Sequence, residues 1–386
     1  MSWKKVLLLA LAVLLAIALV GCGGGSDDVV DTTDTTTEEE VSEGLRIAIV
    51  TSPSGVDDGS FNQNNYEGIQ AFIKTHPEST VNAIRETDSA MAIPAVEAIV
   101  GDYDVIVTPG FQFSGITEIA RANPDKYFIL VDAFPADPDD PFGDPVEVDN
   151  IYAMQFAEQE SGFFAGVAAA LETKTGKVAF IGGAAYPAVV NYQFGFDSGV
   201  AYANKHFDTD AEVVEIASYA GTDVFDNAVG GNYVGAFDDE AGGKRVAEAL
   251  LGEGADVLFV AAGGSGNGAF TAVKESQDAW VIGCDVDQFA DGADGDRNIV
   301  LTSGLKVMDI NVERQLNAIA SGTFKGGNYT LQADTDSTGF VNTEGHHQLS
   351  EDTLEKLNAL FEDVKSGAIV PAGQFTDFGS DDFVGL

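Results

Sequence analysis

Few segments of this chain carry side chains whose types and spacing could do chemistry. The first is G-V-D-D-G-S-F-N-Q, Gly55 to Gln63, placed after an apolar strand and before a helical stretch. Asp57, Asp58, Asn62 and Gln63 supply acceptors and donors and Phe61 a flat apolar face, a set that could read a polar heterocycle. The same residues also suit a solvated acidic loop in which Asn62 caps the next helix, and side-chain chemistry alone does not choose between the two. In T-P-G-F-Q-F-S-G, Thr108 to Gly115, Phe111 and Phe113 lie two apart. On a strand they would face opposite ways, so at most one faces a ligand while the other packs. In F-V-A-A-G-G-S-G-N-G, Phe259 to Gly268, the glycines around Gly264 let bare backbone N–H groups approach a ligand at a strand-to-helix turn. Two strand exits follow. G-C-D-V-D-Q sets Asp285 at a strand tip, where it can accept hydrogen bonds from hydroxyl groups, and L-T-S-G-L-K supplies Lys306. In a cleft that lysine would offset Asp285; on the surface it would be an ordinary ion pair.

Catalytic apparatus is not recognisable. The four histidines, His76, His206, His346 and His347, fall in no metal-ligand spacing, and no serine sits in G-x-S-x-G. The glycine-rich turn lacks the lysine and Ser/Thr of a phosphate-gripping loop, and nothing matches a dinucleotide fingerprint. D-G-A-D-G-D, Asp291 to Asp296, does not have the spacing of a calcium loop and reads as a salt-exposed acidic turn. No cofactor, metal site or enzyme activity is expected.

Charge narrows the partners further. Lys and Arg number 19 against 62 Asp and Glu, a net charge of −43. Such a chain repels nucleic acid and anionic lipid. Its self-repulsion is tolerable where salt screens charges down to contact range, and the pattern resembles that of halophilic archaeal proteins.

The N-terminus has the form of an export signal. Lys4 and Lys5 precede an uncharged run from Val6 to Gly21, and L-V-G-C ends at Cys22. This tail resembles a lipobox, with residues 1–21 removed and Cys22 lipidated. Residues 22–44 hold a glycine run and then an acidic, threonine-rich stretch, in which Asp27 to Glu43 contains eight acids and no base. That composition cannot form a core and reads as a tether. Cys284 is the other cysteine and is expected to be a small buried residue. Asn328-Tyr329-Thr330 is a glycosylation sequon.

Positioning these residues requires a scaffold of alternating strands and helices. Apolar runs at Leu45–Val50, Val105–Thr108, Tyr127–Val131, Ile151–Met154, Val178–Ile181, Val213–Ser218, Val257–Val260, Val281–Gly283 and Ile299–Thr302 predict strands. Helical stretches fall between them, among them Glu158–Leu171, Val189–Asn204 and Leu305–Ser321. Continuous apolar strands separated by helices imply parallel sheets covered on both faces. At 386 residues there is room for two such sheets. The α/β expectation is therefore two lobes, 45–150 plus about 284–335 and 151–283 plus about 336–386. The carboxyl ends of their strands would face a shared cleft.

Taken in order, D-D-G-S-F-N-Q-x-x-x-E-G (Asp57–Gly68), G-F-Q-F (Gly110–Phe113), F-I-L-V-D (Phe128–Asp132) and E-x-G-F-F-A-G (Glu160–Gly166) resemble the basic membrane protein family of solute-binding lipoproteins. K-V-A-F-I-G-G (Lys177–Gly183), Y-V-G-A-F-D-D (Tyr233–Asp239), A-A-G-G-S-G-N-G (Ala261–Gly268), G-C-D-V-D-Q and T-S-G-L-K extend the resemblance. It implies a periplasmic-binding-protein type I fold and delivery of a ligand to the permease and ATPase of an ABC transporter. Characterised relatives are purine-nucleoside receptors. On their pattern Asp58 and Asn62 would read the base, with Phe61 beside it, and Phe111 and Phe237 would offer further aromatic wall. Gly264, Asp285 and Lys306 match positions around the sugar. A receptor for another polar solute such as a sugar, and a ligand-sensing partner of a membrane signalling protein, are the other readings.

Two outcomes follow from sequence alone. Cys22→Ala shifts the protein from the membrane fraction into the medium or blocks its processing; an unmodified Cys22 in the intact mass of the native protein would contradict this. Diluting salt from molar to millimolar loosens or unfolds the body, read by circular dichroism with chelator present; a spectrum indifferent to salt would remove the adaptation.

Overall fold

Thr80–Arg85 is a strand although only Val81 and Ile84, on opposite faces, are half-buried and the rest is exposed, because an edge strand needs only one partner. It is the edge of the first of two six-stranded sheets in this computed structural model, which describes residues 44–386 apart from 141–142, 277, 375 and 377–378. The segments expected to be an export signal and, for the most part, a tether lie outside the described residues. The body from Glu43 onward forms one unit.

Through its first half the chain runs β1 (Arg46–Thr51), α1 (Phe61–Thr75), β2 (Thr80–Arg85), α2 (Ala92–Ile99), β3 (Val105–Pro109), α3 (Thr117–Ala122), β4 (Tyr127–Val131) and β5 (Ile151–Phe156). There follow α4 (Glu158–Glu172), β6 (Lys177–Gly182), α5 (Pro187–His206), β7 (Glu212–Val213), a small ribbon of β8 (Gly221–Thr222) with β9 (Ala228–Gly230), α6 (Glu240–Gly252), β10 (Val257–Ala261) and α7 (Gly266–Glu275). The last part has β11 (Trp280–Asp285), a second ribbon of β12 (Ala293–Asp294) with β13 (Arg297–Asn298), and β14 (Val300–Lys306). It closes with α8 (Met308–Ala320), β15 (Gly327–Leu331), β16 (Thr338–Phe340) and α9 (Glu351–Lys365).

The first sheet has the order β15-β5-β4-β3-β1-β2 and the second β16-β14-β11-β10-β6-β7. Pairings in the first sheet are all parallel, and in the second only β16 runs antiparallel. Position by position the two orders correspond, so β4 occupies in one lobe the place of β11 in the other. Central strands such as β3 and β10 are buried along their whole length, which is why they read as unbroken apolar runs. Each sheet has core on both faces, with Phe72, Met154 and Val312 on one side of the first and Phe113, Phe128 and Ile116 on the other. This is the two-lobed α/β architecture of the type I periplasmic-binding-protein fold, as expected.

The crossings between lobes differ from the boundaries expected from sequence. β5 pairs with β4 and β15, so the first lobe runs through Phe156 rather than ending at Asn150. β11 and β14 pair with β10 and β16 in the second sheet, so the segment from 284 to 306 does not belong to the first lobe. The Pro-rich loop after β4 suggested a boundary because it breaks periodicity, but it is a surface excursion between neighbouring strands of one sheet. Three crossings result, at Ala157, at Val307 and between β15 and β16. Adjacent residues of α4 fasten them: Glu160 Oε2 accepts from Ala333 N–H at 2.8 Å and from the Thr338 hydroxyl, and Ser161 Oγ donates to Leu305 O at 2.7 Å and accepts from Gly339 N–H at 3.0 Å.

Two further expectations shift. The strand expected at Val213–Ser218 stops at Val213, because Asn232 inserts its amide there, donating to Phe180 O and Val214 O and accepting from Ile216 N–H. The helix expected from Leu305 starts at Met308, since Leu305 and Lys306 finish β14.

Helices α4 and α5 meet backbone to backbone. Gly162 and Gly166 of α4 lie against the carbonyls of Tyr192 and Phe196, and Gly195 and Gly199 of α5 against those of Gln159 and Phe163, with no room for a Cβ at any of the four.

Candidate functional site

Parallel strands leave their carboxyl ends at one edge of each sheet, and here both edges border one cavity. The first lobe contributes Ser52 and Ser54 after β1, Asp58, Phe61 and Asn62 at the start of α1, Gly110 to Gln112 after β3, and Asp132 after β4. The second contributes Tyr186, Val189 and Tyr192 from the start of α5, Phe237 from a loop, Ala261 at the end of β10 and Gly263 after it, Cys284 and Asp285 from β11, and Lys306 from β14.

Asp132 and Asp285 occupy matching places, each closing the corresponding strand of its sheet, and both have left-handed backbone, φ 62° and 67°. Aspartate tolerates that conformation better than most residues do. Each turn aims a carboxylate at Lys306. Its Nζ stands 2.6 Å from Asp132 Oδ2, 3.4 Å from Asp285 Oδ1 and 3.8 Å from Glu158 Oε1, and lies over the Phe61 ring, 4.6 Å from the centroid. Asp285 also accepts from Ser60 Oγ at 2.9 Å across the cleft and from the Tyr192 hydroxyl at 3.1 Å. Burial pulls the Lys306 pKa down, and Asp132, Asp285 and Glu158 reverse that and carry it above its ordinary value. The same burial raises Asp132 and takes Glu158 up to about 8, against the pull of the ammonium.

The Gly55–Gln63 loop divides its labour. Asp58 is buried, with its pKa raised by burial, and spends both oxygens on the start of α1: Oδ1 accepts from Ser60 and Gln63 N–H, Oδ2 from Asn62 N–H and Asn62 Nδ2. The helix start is therefore held by Asp58 and not by Asn62. Asn62 also donates to Ser52 Oγ at 2.9 Å, which leaves its Oδ1 buried with no hydrogen-bond partner among the described residues. Asp132 Oδ1 is in the same state. Asp57 does not line the cavity.

Of the two phenylalanines after β3, Phe111 reaches the cavity and Phe113 is fully buried in the core. Phe111 packs on Tyr186, ring centroids 5.8 Å apart, and Tyr186 on Phe237 at 5.6 Å, so an aromatic band crosses from one lobe to the other. Gly264 is not in the cavity lining; its neighbour Gly263 is, with φ 52°. Gly264 is packed beneath the Phe237 carbonyl, which accepts Ser54 Oγ from the opposite lobe at 2.9 Å. Cys284 is buried, and burial pushes its thiol pKa well up, as suits a packing residue. The Asp291–Asp296 turn is a hairpin in which Arg297 bonds Asp294 Oδ2 at 2.9 Å and carbonyls at the end of α7. No cluster suited to a metal ion occurs among the described residues.

Of the eight residues that sequence reasoning selected, Asp58, Phe61, Asn62, Phe111, Phe237, Asp285 and Lys306 border the cavity and Gly264 does not. It did not select Asp132, Glu158, Tyr186 or Tyr192. Asp132 had a usable signal: F-I-L-V-D ends an apolar strand in aspartate as I-G-C-D does at Asp285. For Glu158 and the tyrosines nothing local marks them, since their place depends on how α4 and α5 pack.

A cleft between two matched α/β lobes, lined by aromatic rings and a buried charge cluster, defines a solute-binding protein of the type I fold. The chain belongs to the Bmp family, described as ABC transporter substrate-binding protein PnrA-like, whose model matches residues 46–224 and 225–372. It is therefore a transport protein and not an enzyme. It is 30% identical to the CD4+ T-cell-stimulating antigen of Listeria innocua over 95% of this chain and 98% of that protein. It is 32% identical to the ABC transporter nucleoside-binding protein BmpA of Lactococcus lactis over 75% and 78% of the two chains. An ABC transporter solute-binding protein from Aeropyrum pernix K1 shares the fold, with a TM-score of 0.72 at 23% identity over 86% of this chain and 94% of that one.

Among the described residues Lys306 is the one cation paired with Asp132, Glu158 and Asp285, so Lys306→Met should cost about 3–5 kcal/mol of stability. The loss should shrink as pH falls from 8 to 6, because protonation of the carboxylates relieves their repulsion. Denaturant titrations in molar salt at both pH values measure it; a loss under 1 kcal/mol at pH 8 would show that the acids do not depend on the ammonium.

Proposed function

We propose that the protein captures a purine nucleoside outside the cell and delivers it to an ABC permease and its ATPase. The observation that carries this reading is the composition of the cavity wall. An aromatic band of Phe111, Tyr186 and Phe237 suits a flat heterocycle, and nearby Asn62 Oδ1 and Asp132 Oδ1 are buried acceptors with no donor of their own. A purine edge brings N–H groups to such acceptors. Ribose hydroxyls match Asp285, which keeps acceptor capacity beyond its bonds to Ser60 and Tyr192. Asp58 then acts on the base indirectly, by fixing Asn62 and the start of α1. The nucleoside-binding relative from Lactococcus lactis supports the same ligand class.

In this reading Cys22 carries the lipid that holds the protein at the outer face of the membrane, residues 22–44 are the tether, and the excess of carboxylates suits a halophilic setting. A sugar is the second reading, because the Asp285–Lys306 pair would hold hydroxyl groups of either ligand.

Calorimetry in molar salt with adenosine, guanosine and inosine, the free bases, ribose and other sugars separates the two. Asp285→Ala should weaken nucleosides by about 2–5 kcal/mol, roughly 30-fold to several-thousand-fold, and free bases much less. Equal losses for base and nucleoside would remove the ribose assignment. Tight binding of a sugar with no nucleoside binding would replace the ligand and leave the transport role.

A further inference from the structure

The charges beneath the cavity do not balance. Asp132, Glu158 and Asp285 surround one ammonium, all four groups are between 2% and 8% exposed, and with every acid ionised the cluster carries two unmatched negative charges. Buried like charges at this range relieve their repulsion by binding a proton. Geometry indicates where. Asp132 touches the ammonium at 2.6 Å, a contact that favours its ionised form, and Asp285 accepts two hydroxyl donors beside it. Glu158 is farthest from Lys306, and its Oε2 accepts the Asn191 amide at 3.0 Å, a bond that a neutral carboxyl also makes.

The four groups come from different lobes. Glu158 opens α4, Asp285 ends β11 and Lys306 ends β14, all in the second lobe; Asp132 belongs to the first. Binding proteins of this architecture close their lobes around a ligand. With the lobes apart the second lobe holds two acids and one ammonium. Closure adds a third acid and removes water.

We infer that Glu158 is a proton-binding group of the site, loaded as the lobes close, so that solute capture takes up a proton. The inference rests on the reading that this cavity binds the solute. Its pH range follows from burial, which lifts the Glu158 pKa to about 8 when the lobes are together. A raised pKa in the closed form favours closure at low pH and loses that contribution as pH rises through about 8. The groups facing Glu158 are Lys306 and Asp132, with Asn191 and Tyr192 on α5; Asp285 and Cys284 on β11 lie beyond them, against Lys306 and Tyr192. Burial raises Tyr192 and Cys284 well above their usual values, and among the described residues no histidine borders the cavity or its annex between Asp132 and Asn191.

The test is calorimetry of adenosine, guanosine and inosine on the full chain in molar salt from pH 6 to 9.5, in phosphate and Tris buffers of different ionisation enthalpy. Affinity should fall by up to tenfold per pH unit as pH approaches 8 and level off above it, with uptake approaching one proton per ligand near pH 7. Glu158→Gln, which keeps an amide at that position, should lose both the slope and the uptake. Binding flat across the range, or an unchanged slope in Glu158→Gln, overturns the proposal. If none of the three nucleosides binds at any pH, the ligand reading has failed by itself. Small-angle scattering of the unliganded chain then decides the proton proposal: the radius of gyration should shrink from pH 9 to 6.5 in the wild type and not in Glu158→Gln, and a radius independent of pH overturns it.

Discussion

One ammonium holds the centre of this molecule. Lys306 ends β14, the last strand before the chain crosses back to the first lobe, and its Nζ reaches across to Asp132 at 2.6 Å. Without a cation there, Asp132 and Asp285 would face each other at the mouths of matching strands, desolvated and repelling. With it, the strand ends can approach, Ser60 can reach Asp285 and Ser54 can reach the Phe237 carbonyl. The ammonium offsets part of the cost of burying these carboxylates, so the polar floor of the cavity can sit against the aromatic band.

The near-repetition of the lobes explains why that floor is built as it is. An aspartate with left-handed backbone directly follows β4 and another ends its equivalent β11, which turns each carboxylate off the strand axis and into the space between the sheets. Departures from the repetition fall where each lobe does something the other does not. The α1 side presents Phe61 and Asn62, whereas the α5 side presents Tyr186 and Tyr192.

Strand cores were legible in the sequence because central parallel strands bury both faces, and runs such as Val257–Val260 leave no other reading. The edge strands Thr80–Arg85 and Gly327–Leu331 were not, since an edge exposes too much to look apolar. Lobe membership of Ile151–Phe156 and of 284–306 was hidden for another reason: strand order within a sheet is a long-range property, and no local residue records it. The binding residues divide the same way. Asp285, Lys306 and Phe111 lie at strand exits, where sequence position implies spatial position. Glu158 and Tyr192 acquire their place from helix packing, so neither spacing nor composition could select them.

The glycine contact between α4 and α5 also has a mechanical meaning. α4 starts one residue beyond the crossing at Ala157 and carries Glu160 and Ser161, which clasp the other crossings, while the first turns of α5 carry Val189 and Tyr192 at the cavity. Because the two helices touch through their main chains, with no side-chain layer to slide or repack, they form a stiff bar. The two helices run parallel, with Tyr192 against Gly162 and Phe196 against Gly166, so the pivot and this part of the jaw lie at the same end of the bar. A small rotation at the crossings is then transmitted to Tyr192 undiminished, and the gap between the jaws is set by the pivot angle rather than by the flexibility of the helices.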